Sequence, residues 1–536
     1  MTDKRTSPAC NKLILVAAFT CVSPNLLIAG ELQITPNVNT TGYVYQTESE
    51  SRENVSNQAL VINTKVIGIY DARKASASVM VDHTYVQQKN DDPGADKSFT
   101  ELKYTSDINL IDRIMSLSLS GGQSYRVLDA SQGLVNDKVL AAGELTKIST
   151  NSAELNLSVP NPQYLGATVK TSYSNNHSDE SLTSNQGIDS QNMQLNAQIY
   201  QGSRFKRASF YLASSYNNTK RAGNQDFVST ISSAHLGFGL SQDIKLVLVG
   251  NDNNYDVNEQ NVNSQRANLD TTSYGAGLMW QPSDNRSVEL TYNKLDEGEM
   301  SSRFVGLNTN WALSSRTAVA FDYSKRFYGD AYDFSFNYNL KSFRSSASYN
   351  ETVTSYSRLS LAEGSSSLFV CPISSSELAG CFQPESLQYV LQAGEEFREA
   401  GLLLSDVTNE VLFSKTGRLN LGYDKGRLKA ALNLSINTTE YLESDRQQER
   451  KNLGLSLYYQ LGRRSNVALS SNFSTVNYIG SDRKNDVMNI SASFKRTLSK
   501  QLSMDVTARY LDQETEDKSQ NLTDSRLTVS LDYRFD

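Results

Sequence analysis

The chain has 536 residues, with 51 Lys and Arg against 58 Asp and Glu, and a formal net charge of −7. Apolar residues make up 38% of it, too few for the several separate cores that soluble domains of this total length would need. No apolar run of about 20 residues follows the N-terminal segment, which excludes a helical membrane protein. The acidic balance argues against nucleic acid as a partner, and the frequent Tyr and Phe argue against disorder.

The N-terminal segment has the composition of a secretory signal peptide. Basic residues precede an apolar stretch, and the small residue Ala29 stands before polar sequence. An anchoring helix is the first alternative, but Pro24 would interrupt it. A lipoprotein attached at Cys21 is the second, and the residues before this cysteine fit that motif poorly. We therefore predict a signal peptide over residues 1–29 and a mature chain over residues 30–536.

Apolar and polar residues alternate along much of the mature chain, most regularly near its end. The last run has the apolar members Leu527, Val529, Leu531, Tyr533 and Phe535, interleaved with Arg526, Thr528, Ser530, Asp532 and Arg534. A period of two residues is typical of strands with one apolar and one polar face. The mature chain is therefore predicted to be all-β.

The connections between these runs are alternately short and long. Asp424-Lys425-Gly426 has the chemistry of a tight turn, whereas residues 256–269 are long and polar. Long strands with short turns at one end and long loops at the other are typical of outer-membrane barrels. We predict a single large antiparallel transmembrane β-barrel of about 24 strands, within a range of 18–26. A secreted β-solenoid would show a fixed repeat, and sandwich domains would have shorter strands.

One connection, over residues 358–409, is much longer than the others. It holds Cys371 and Cys381, the two cysteines of the mature chain, whose ten-residue separation predicts a local structural disulfide. Apolar residues after them have near-helical spacing and predict a short amphipathic helix. These residues are Leu387, Val390, Leu391 and Phe397. The sequence leaves open whether this loop enters the barrel and constricts it or stays on the solvent side of its mouth.

The polar faces of the strands are expected to line a lumen. Most of their residues are uncharged, and the charged ones have both signs. The candidate lumen-lining residues are Lys429, Asn433, Lys495, Asp505, Arg509, Arg526, Asp532 and Arg534. An ion-selective pore would show one sign of charge, so the mixture favours a neutral polar solute or no passage at all. Tyr533 and Phe535 are the candidate terminal-strand signal for the barrel assembly machinery, although Asp536 follows them.

The titratable residues give no catalytic pattern. Asp82 and His83 are neighbours, but adjacent residues of a strand point to opposite faces. The other two histidines, His177 and His235, stand apart, and no cluster with metal-ligand spacing is evident. We therefore expect no enzyme activity, no cofactor and no metal.

Short motifs spread over the mature chain carry a family resemblance. They are Ile34-Thr35-Pro36, the segment from Asn151 to Pro162, the cysteine pair of the long loop, and Glu410-Val411-Leu412-Phe413. On these motifs the chain resembles the outer-membrane β-barrel proteins associated with PEP-CTERM and exopolysaccharide systems of Gram-negative bacteria. The resemblance implies a structural or channel component of exopolysaccharide secretion, with membrane lipid, polysaccharide and export-system proteins as partners. A general diffusion porin or solute transporter is the alternative, followed by a barrel enzyme and an adhesin.

Overall fold

The structure, a computed structural model, describes most of the mature chain. The described residues are 30–49, 52–89, 97–126, 137–139, 145–179, 189–205, 207–221, 226–256, 270–297, 300–355, 369–372, 381–383, 389, 391–398, 410–442, 444, 446–480, 483–516 and 521–535. The predicted signal peptide, residues 1–29, lies outside them and stays a prediction. No helix of the described segments is long and apolar enough to cross a bilayer.

The described residues form long strands throughout, with two short exceptions. The first strands are β1 (Gly30–Ser49), β2 (Arg52–Ala72), β3 (Ala75–Gln88), β4 (Lys97–Ile111), β5 (Met115–Arg126), β6 (Thr146–Ser158), β7 (Leu165–Ser178), β8 (Asp189–Gln201) and β9 (Ala208–Arg221). They are followed by β10 (Phe227–Gly239), β11 (Ile244–Asp256), β12 (Thr271–Ser283), β13 (Arg286–Glu297), β14 (Met300–Ser314), β15 (Thr317–Arg326), β16 (Gly329–Asn339) and β17 (Phe343–Ser355). The two short strands are β18 (Phe369–Pro372) and β19 (Glu395–Arg398). The last are β20 (Val411–Lys425), β21 (Leu428–Tyr441), β22 (Gln447–Gly462), β23 (Ser465–Ile479), β24 (Lys484–Thr497), β25 (Leu502–Thr515) and β26 (Leu522–Arg534).

The 24 long strands close into one antiparallel ring. Each pairs with its neighbours in the chain, β17 pairs with β20, and β26 returns to β1 from Asn37↔Arg534 to Ser49↔Leu522. Closure satisfies the backbone groups of what would otherwise be two edge strands, which a sheet in lipid requires. The predicted fold, an all-β barrel of about 24 antiparallel strands with a disulfide in its long loop, is confirmed.

The two faces of the ring differ as the alternation predicts. In β26 the side chains of Leu527, Val529 and Leu531 are exposed, whereas those of Asp524, Arg526 and Thr528 on the other face are buried. Exposed leucine, isoleucine, valine and aromatic residues recur on this outward face around the ring. An apolar outer surface on a closed antiparallel barrel is the arrangement of a bacterial outer-membrane protein, with lipid covering that surface.

The ends of the barrel are distinguished by their connections. Residues 73–74, 284–285 and 426–427 are tight turns at one end, which we name the short-turn end. The other, the long-loop end, carries the connection from β17 to β20. Because short turns face the periplasm in such barrels, the short-turn end is periplasmic. The amide of Phe535 donates to the carbonyl of Pro36, which holds the end of the last strand beside the first at this end.

Candidate functional site in the lumen

The described residues of the long loop form a small sheet of their own, separate from that of the ring. Strands β18 and β19 pair with each other, and Val370 exchanges two backbone hydrogen bonds of 2.9 Å with Phe382. The predicted disulfide between Cys371 and Cys381 is confirmed, and both cysteines are fully buried. We name β18, β19 and residues 381–383 the inner hairpin.

The helix predicted in this loop is wrong within its described part. Leu391 precedes a turn in which Gly394 has a φ of 81°, and Phe397 lies in β19, opposite Val370. A glycine in the left-handed region interrupts a helix at this point. The backbone groups of the following residues form hydrogen bonds with β18 instead, and the spacing of apolar residues does not predict this pairing. The remaining apolar residues of that prediction, Leu387 and Val390, lie outside the described residues.

One side of the inner hairpin packs on the inward face of β21 and β22. Phe369 and the two cysteines form a buried cluster with Ala431 of β21, and Tyr458 of β22 packs against it. The ammonium group of Lys429 donates to the carbonyl of Cys381. Lys429 and Ala431 alternate with outward residues of β21 and lie close to its tight turn. The inner hairpin is therefore inside the barrel, near the short-turn end.

The opposite side of the inner hairpin reaches β2 and β4. Lys103 of β4 forms an ion pair with Glu396, and Gly394 lies so close to Ile69 of β2 that an added Cβ would stand 2.5 Å from its Cδ1 atom. Seven strands separate β22 from β4 in the ring. The hairpin therefore spans a chord of the lumen, so this described part of the long loop lies inside the barrel.

A second inserted segment comes from the connection between β5 and β6. The carboxylate of Asp137 lies 2.5 Å from the guanidinium of Arg509 and 3.1 Å from that of Arg526. Asp524 accepts a further hydrogen bond of 2.9 Å from Arg526. The Arg526 side chain is only 3% exposed, and its guanidinium lies over the rings of Tyr43 and Tyr45.

The residues after Asp137 extend this contact across the first strands. Lys138 donates to Glu101 of β4 at 2.7 Å, and the carbonyl of Val139 accepts from Gln88. The Val139 side chain belongs to a buried apolar cluster with residues of β1 to β4. We name strands β21–β26 and β1–β4, with both inserted segments, the packed sector.

The inward faces of β7 to β10 form a different surface, which we name the amide wall. Most of its residues carry uncharged hydroxyl or amide groups: Ser172, Ser174, Asn176, Ser190, Asn192, Gln194, Asn196, Gln198, Ser215, Asn217, Thr219, Ser229 and Ser233. Lys170, Arg221 and Ile231 lie on the same faces, and Lys170 forms an ion pair of 3.0 Å with Glu154 of β6. Hydrogen bonds link neighbouring strands, as from Thr219 to Asn192 at 3.1 Å. The wall is covered toward the long-loop end, where Asn217 is 1% exposed, and becomes accessible toward the short-turn end.

An apolar cluster joins two distant parts of the ring at the long-loop end. Phe227 of β10 and Tyr255 of β11 belong to one buried cluster with Val353, Val411, Phe413 and Leu442. The turn residues Phe327 and Tyr328 complete it, with ring centroids 4.2 Å apart between Tyr328 and Phe413. Burial raises the pKa of the Tyr328 hydroxyl. Because five strands separate β11 from β17, this mouth cluster narrows the long-loop end.

The structure brings together some of the candidate lumen-lining residues. Arg509 and Arg526 share Asp137, and Lys429 binds the inner hairpin. The others have local surroundings: Asn433 donates to Asn420, Asp532 accepts from Asn37, Asp505 accepts from Thr507 and stands opposite Lys495, and Arg534 is exposed at the end of β26. A lining role for the whole set stays a prediction, as does the assembly role of Tyr533 and Phe535, whose exposed rings touch edge to face at 4.8 Å.

Sequence reasoning missed the partners that the inserted segments supply. Asp137 and Lys138 stand in a polar connection, where solvated charges are the ordinary expectation. Glu396 lies in a stretch whose apolar spacing predicts a helix, so its contact with Lys103 could not be predicted. No signal in the local sequence distinguishes these residues from surface charges.

No known family profile matches the chain, and no curated protein matches it. Some solved structures are similar to it at low sequence identity and low TM-score. The siderophore receptor PirA from Acinetobacter baumannii has a TM-score of 0.40 and 8% identity, covering 94% of this chain and 80% of that one. The apoprotein form of the FrpB iron transporter from Neisseria meningitidis has a TM-score of 0.41 and 10% identity, and the match covers 94% of this chain and 81% of that one. The copper transporter OprC has a TM-score of 0.36 and 10% identity, and the match covers 95% of this chain and 81% of that one.

Proposed function

We propose that this outer-membrane β-barrel is a gated channel for a neutral, hydroxyl-rich polymer, acting as a component of an exopolysaccharide secretion system. The observation that carries the proposal is the amide wall. Serine, threonine, asparagine and glutamine side chains follow one another along four neighbouring strands. Membrane lipid, the barrel assembly machinery, export-system proteins and the polysaccharide itself are the partners that this function requires.

The chemistry of the amide wall suits sugar hydroxyls. An amide side chain offers both donors and acceptors, and so does a hydroxyl group, so either can exchange hydrogen bonds with a passing sugar. Each contact replaces a contact with water and contributes little net free energy. Many weak and equivalent contacts allow a chain to enter and also to leave, as conduction requires.

The inserted segments supply the gate. Among the described residues, the contacts of the inner hairpin with the packed sector include the ion pair of Lys103 with Glu396, the hydrogen bond from Lys429, and a small apolar contact at Ala431. A partly exposed ion pair contributes about 0–1 kcal/mol. Moving the hairpin is therefore far less costly than opening the ring, whose strands are joined by continuous ladders. A general diffusion porin, the alternative, would conduct steadily with this hairpin in place.

Planar-bilayer recording with neutral and anionic oligosaccharides tests the proposal. We expect the wild-type protein to conduct poorly at rest, and its openings to be interrupted by cellohexaose more strongly than by an anionic hexasaccharide. Replacing Asn196 and Gln198 with Leu should weaken the interruption, whereas Gln191→Leu, on the outward face of the same strand, should not. Steady open conductance of the wild type, with no interruption by either sugar, would instead support a diffusion porin.

A further inference from the structure

Three side chains with aromatic rings stand side by side on the lumen face of the barrel, near the short-turn end. Tyr200 of β8 is the cross-strand partner of Tyr211 of β9, which is the partner of His235 of β10. Tyr211 is 38% exposed although it faces the lumen, so its ring is open to a ligand. Cross-strand partners lie about 5 Å apart, so the three rings span roughly the width of a disaccharide.

The Tyr200 ring is fixed by the strand beside it. An added Cβ at Gly166, its partner on β7, would stand 2.3 Å from the Tyr200 Cε2 atom. The ring therefore lies against the backbone of β7, where only glycine leaves it room. A ring held in this way loses little conformational freedom when a ligand binds.

A buried carboxylate stands beside these rings. The His235 imidazole Nε2 lies 2.7 Å from the Glu289 carboxylate Oε2, although β10 and β13 are not neighbours in the ring. Gly277 lies on the lumen face of β12 between them, and its missing side chain leaves room for a sharp bend. An added Cβ there would be 2.0 Å from the carbonyl of Leu290. The Glu289 side chain is 9% exposed.

Among the described residues, charges of both signs lie near these rings. Lys245 lies on the same face, where its Cδ atom would be 3.7 Å from a Cβ at Gly237. Glu289, Lys245 and His235 together give no strong preference for a charged ligand. They offer directed donors and acceptors instead.

We propose that Tyr200, Tyr211, His235 and Glu289 form a sugar-binding subsite at the periplasmic entrance of the lumen. This inference rests on the proposed function and names where the polymer first binds. The axial C–H groups of a pyranose carry partial positive charge and stack on the negative face of a tyrosine ring. Its equatorial hydroxyls point outward from the stacked ring, toward the imidazole and the carboxylate. A ligand of this shape is a neutral hexose unit within a chain.

Calorimetric titration of the full-length protein in detergent with cellohexaose tests this subsite. Tyr211→Ala should weaken binding at least about tenfold through the lost stacking, and Tyr211→Trp should retain it. The matched control is Tyr216→Ala, on the same strand but on the outward face, which should bind as the wild type does. Glu289→Gln should weaken binding severalfold because a neutral amide is a weaker acceptor.

The alternative is that the histidine and the carboxylate only hold the bend of the sheet. In that case Glu289→Gln would alter heat-modifiable gel mobility, and Tyr211→Ala would leave cellohexaose binding unchanged, which would overturn the subsite. If cellohexaose still interrupts the current in Tyr211→Ala as in the wild type, the subsite is wrong and the proposed channel stands. If binding shows the Tyr211 dependence but no oligosaccharide crosses the membrane, the channel is wrong and the subsite stands.

Discussion

The packed sector and the amide wall face one lumen and are built from the same alternating strands, yet their inward residues differ in kind. The packed sector carries charged side chains such as Arg509 and Arg526, and a segment inserted from a connection meets them. The amide wall carries few charged side chains, Lys170 and Arg221 among them. Burying a charge is costly unless a partner comes with it, whereas a hydroxyl or amide is readily satisfied by water or sugar. Clustered charge therefore marks where the protein fills its own lumen, and scarce charge marks where a ligand can pass.

Removing the whole long loop should have the largest effect on conductance, because it takes away the part of the packed sector that crosses the lumen. Replacing residues 358–409 with a short Gly-Ser linker takes away the inner hairpin and leaves the ring ladders intact. We expect single-channel conductance in planar bilayers to rise at least about tenfold, because the chord across the lumen is gone. Shortening the connection over residues 257–269 serves as the control. Equal conductance in the two variants would contradict an occluding hairpin.

Breaking the buried charge cluster should destabilise the packed sector alone. Arg526→Leu leaves the carboxylates of Asp137 and Asp524 with one cation fewer, and loss of a buried partner costs about 3–5 kcal/mol. Urea unfolding in lipid, followed by heat-modifiable gel mobility, measures the change. Arg534→Leu, on the same strand but exposed, should cost less than about 1 kcal/mol. Similar midpoints for both variants would show that the cluster does not hold the sector together.

Removing the disulfide should change conduction less than removing the whole loop that contains it. Replacing Cys371 and Cys381 with Ser removes a short-loop constraint worth about 2–3 kcal/mol, and the inner hairpin should detach more often. We expect openings in planar bilayers to become severalfold more frequent at unchanged open conductance. Dithiothreitol should produce the same change in the wild type and none in the variant. A reductant effect that persists in the variant would place the sensitive group elsewhere.

The smallest effect concerns the amide wall itself. Asn196→Lys adds a cation to a mostly uncharged surface, opposite Lys170, and should shift reversal potentials toward anions, with a permeability ratio changed about twofold. Gln191→Lys, on the outward face of the same strand, should leave the ratio unchanged. If the outward variant shifts selectivity as much, the assignment of the two faces is wrong.

Much of the fold follows from alternation, and much of the lumen does not. The period of two near Leu527 and Leu434 fixes both the strands and their faces, because a half-apolar strand has one stable way to lie in lipid. The inner hairpin escapes this reasoning, since four-residue strands such as Phe369–Pro372 are too short to show a period. The role of Asp137 cannot be predicted in this way either, because nothing in the sequence around an aspartate in a polar connection indicates that it will contact arginines far along the chain. Both depend on contacts between residues remote in sequence.

A disulfide across the gate tests the central claim most directly. Lys103 and Glu396 form an ion pair between β4 and the inner hairpin, so a Lys103→Cys, Glu396→Cys variant should form a cross-link. We expect the oxidised variant to carry almost no current in planar bilayers, and its openings to appear after reduction, with the Lys103→Cys single variant unaffected by oxidation. Failure of the cross-link to form, or equal current before and after reduction, would contradict a hairpin that closes the lumen.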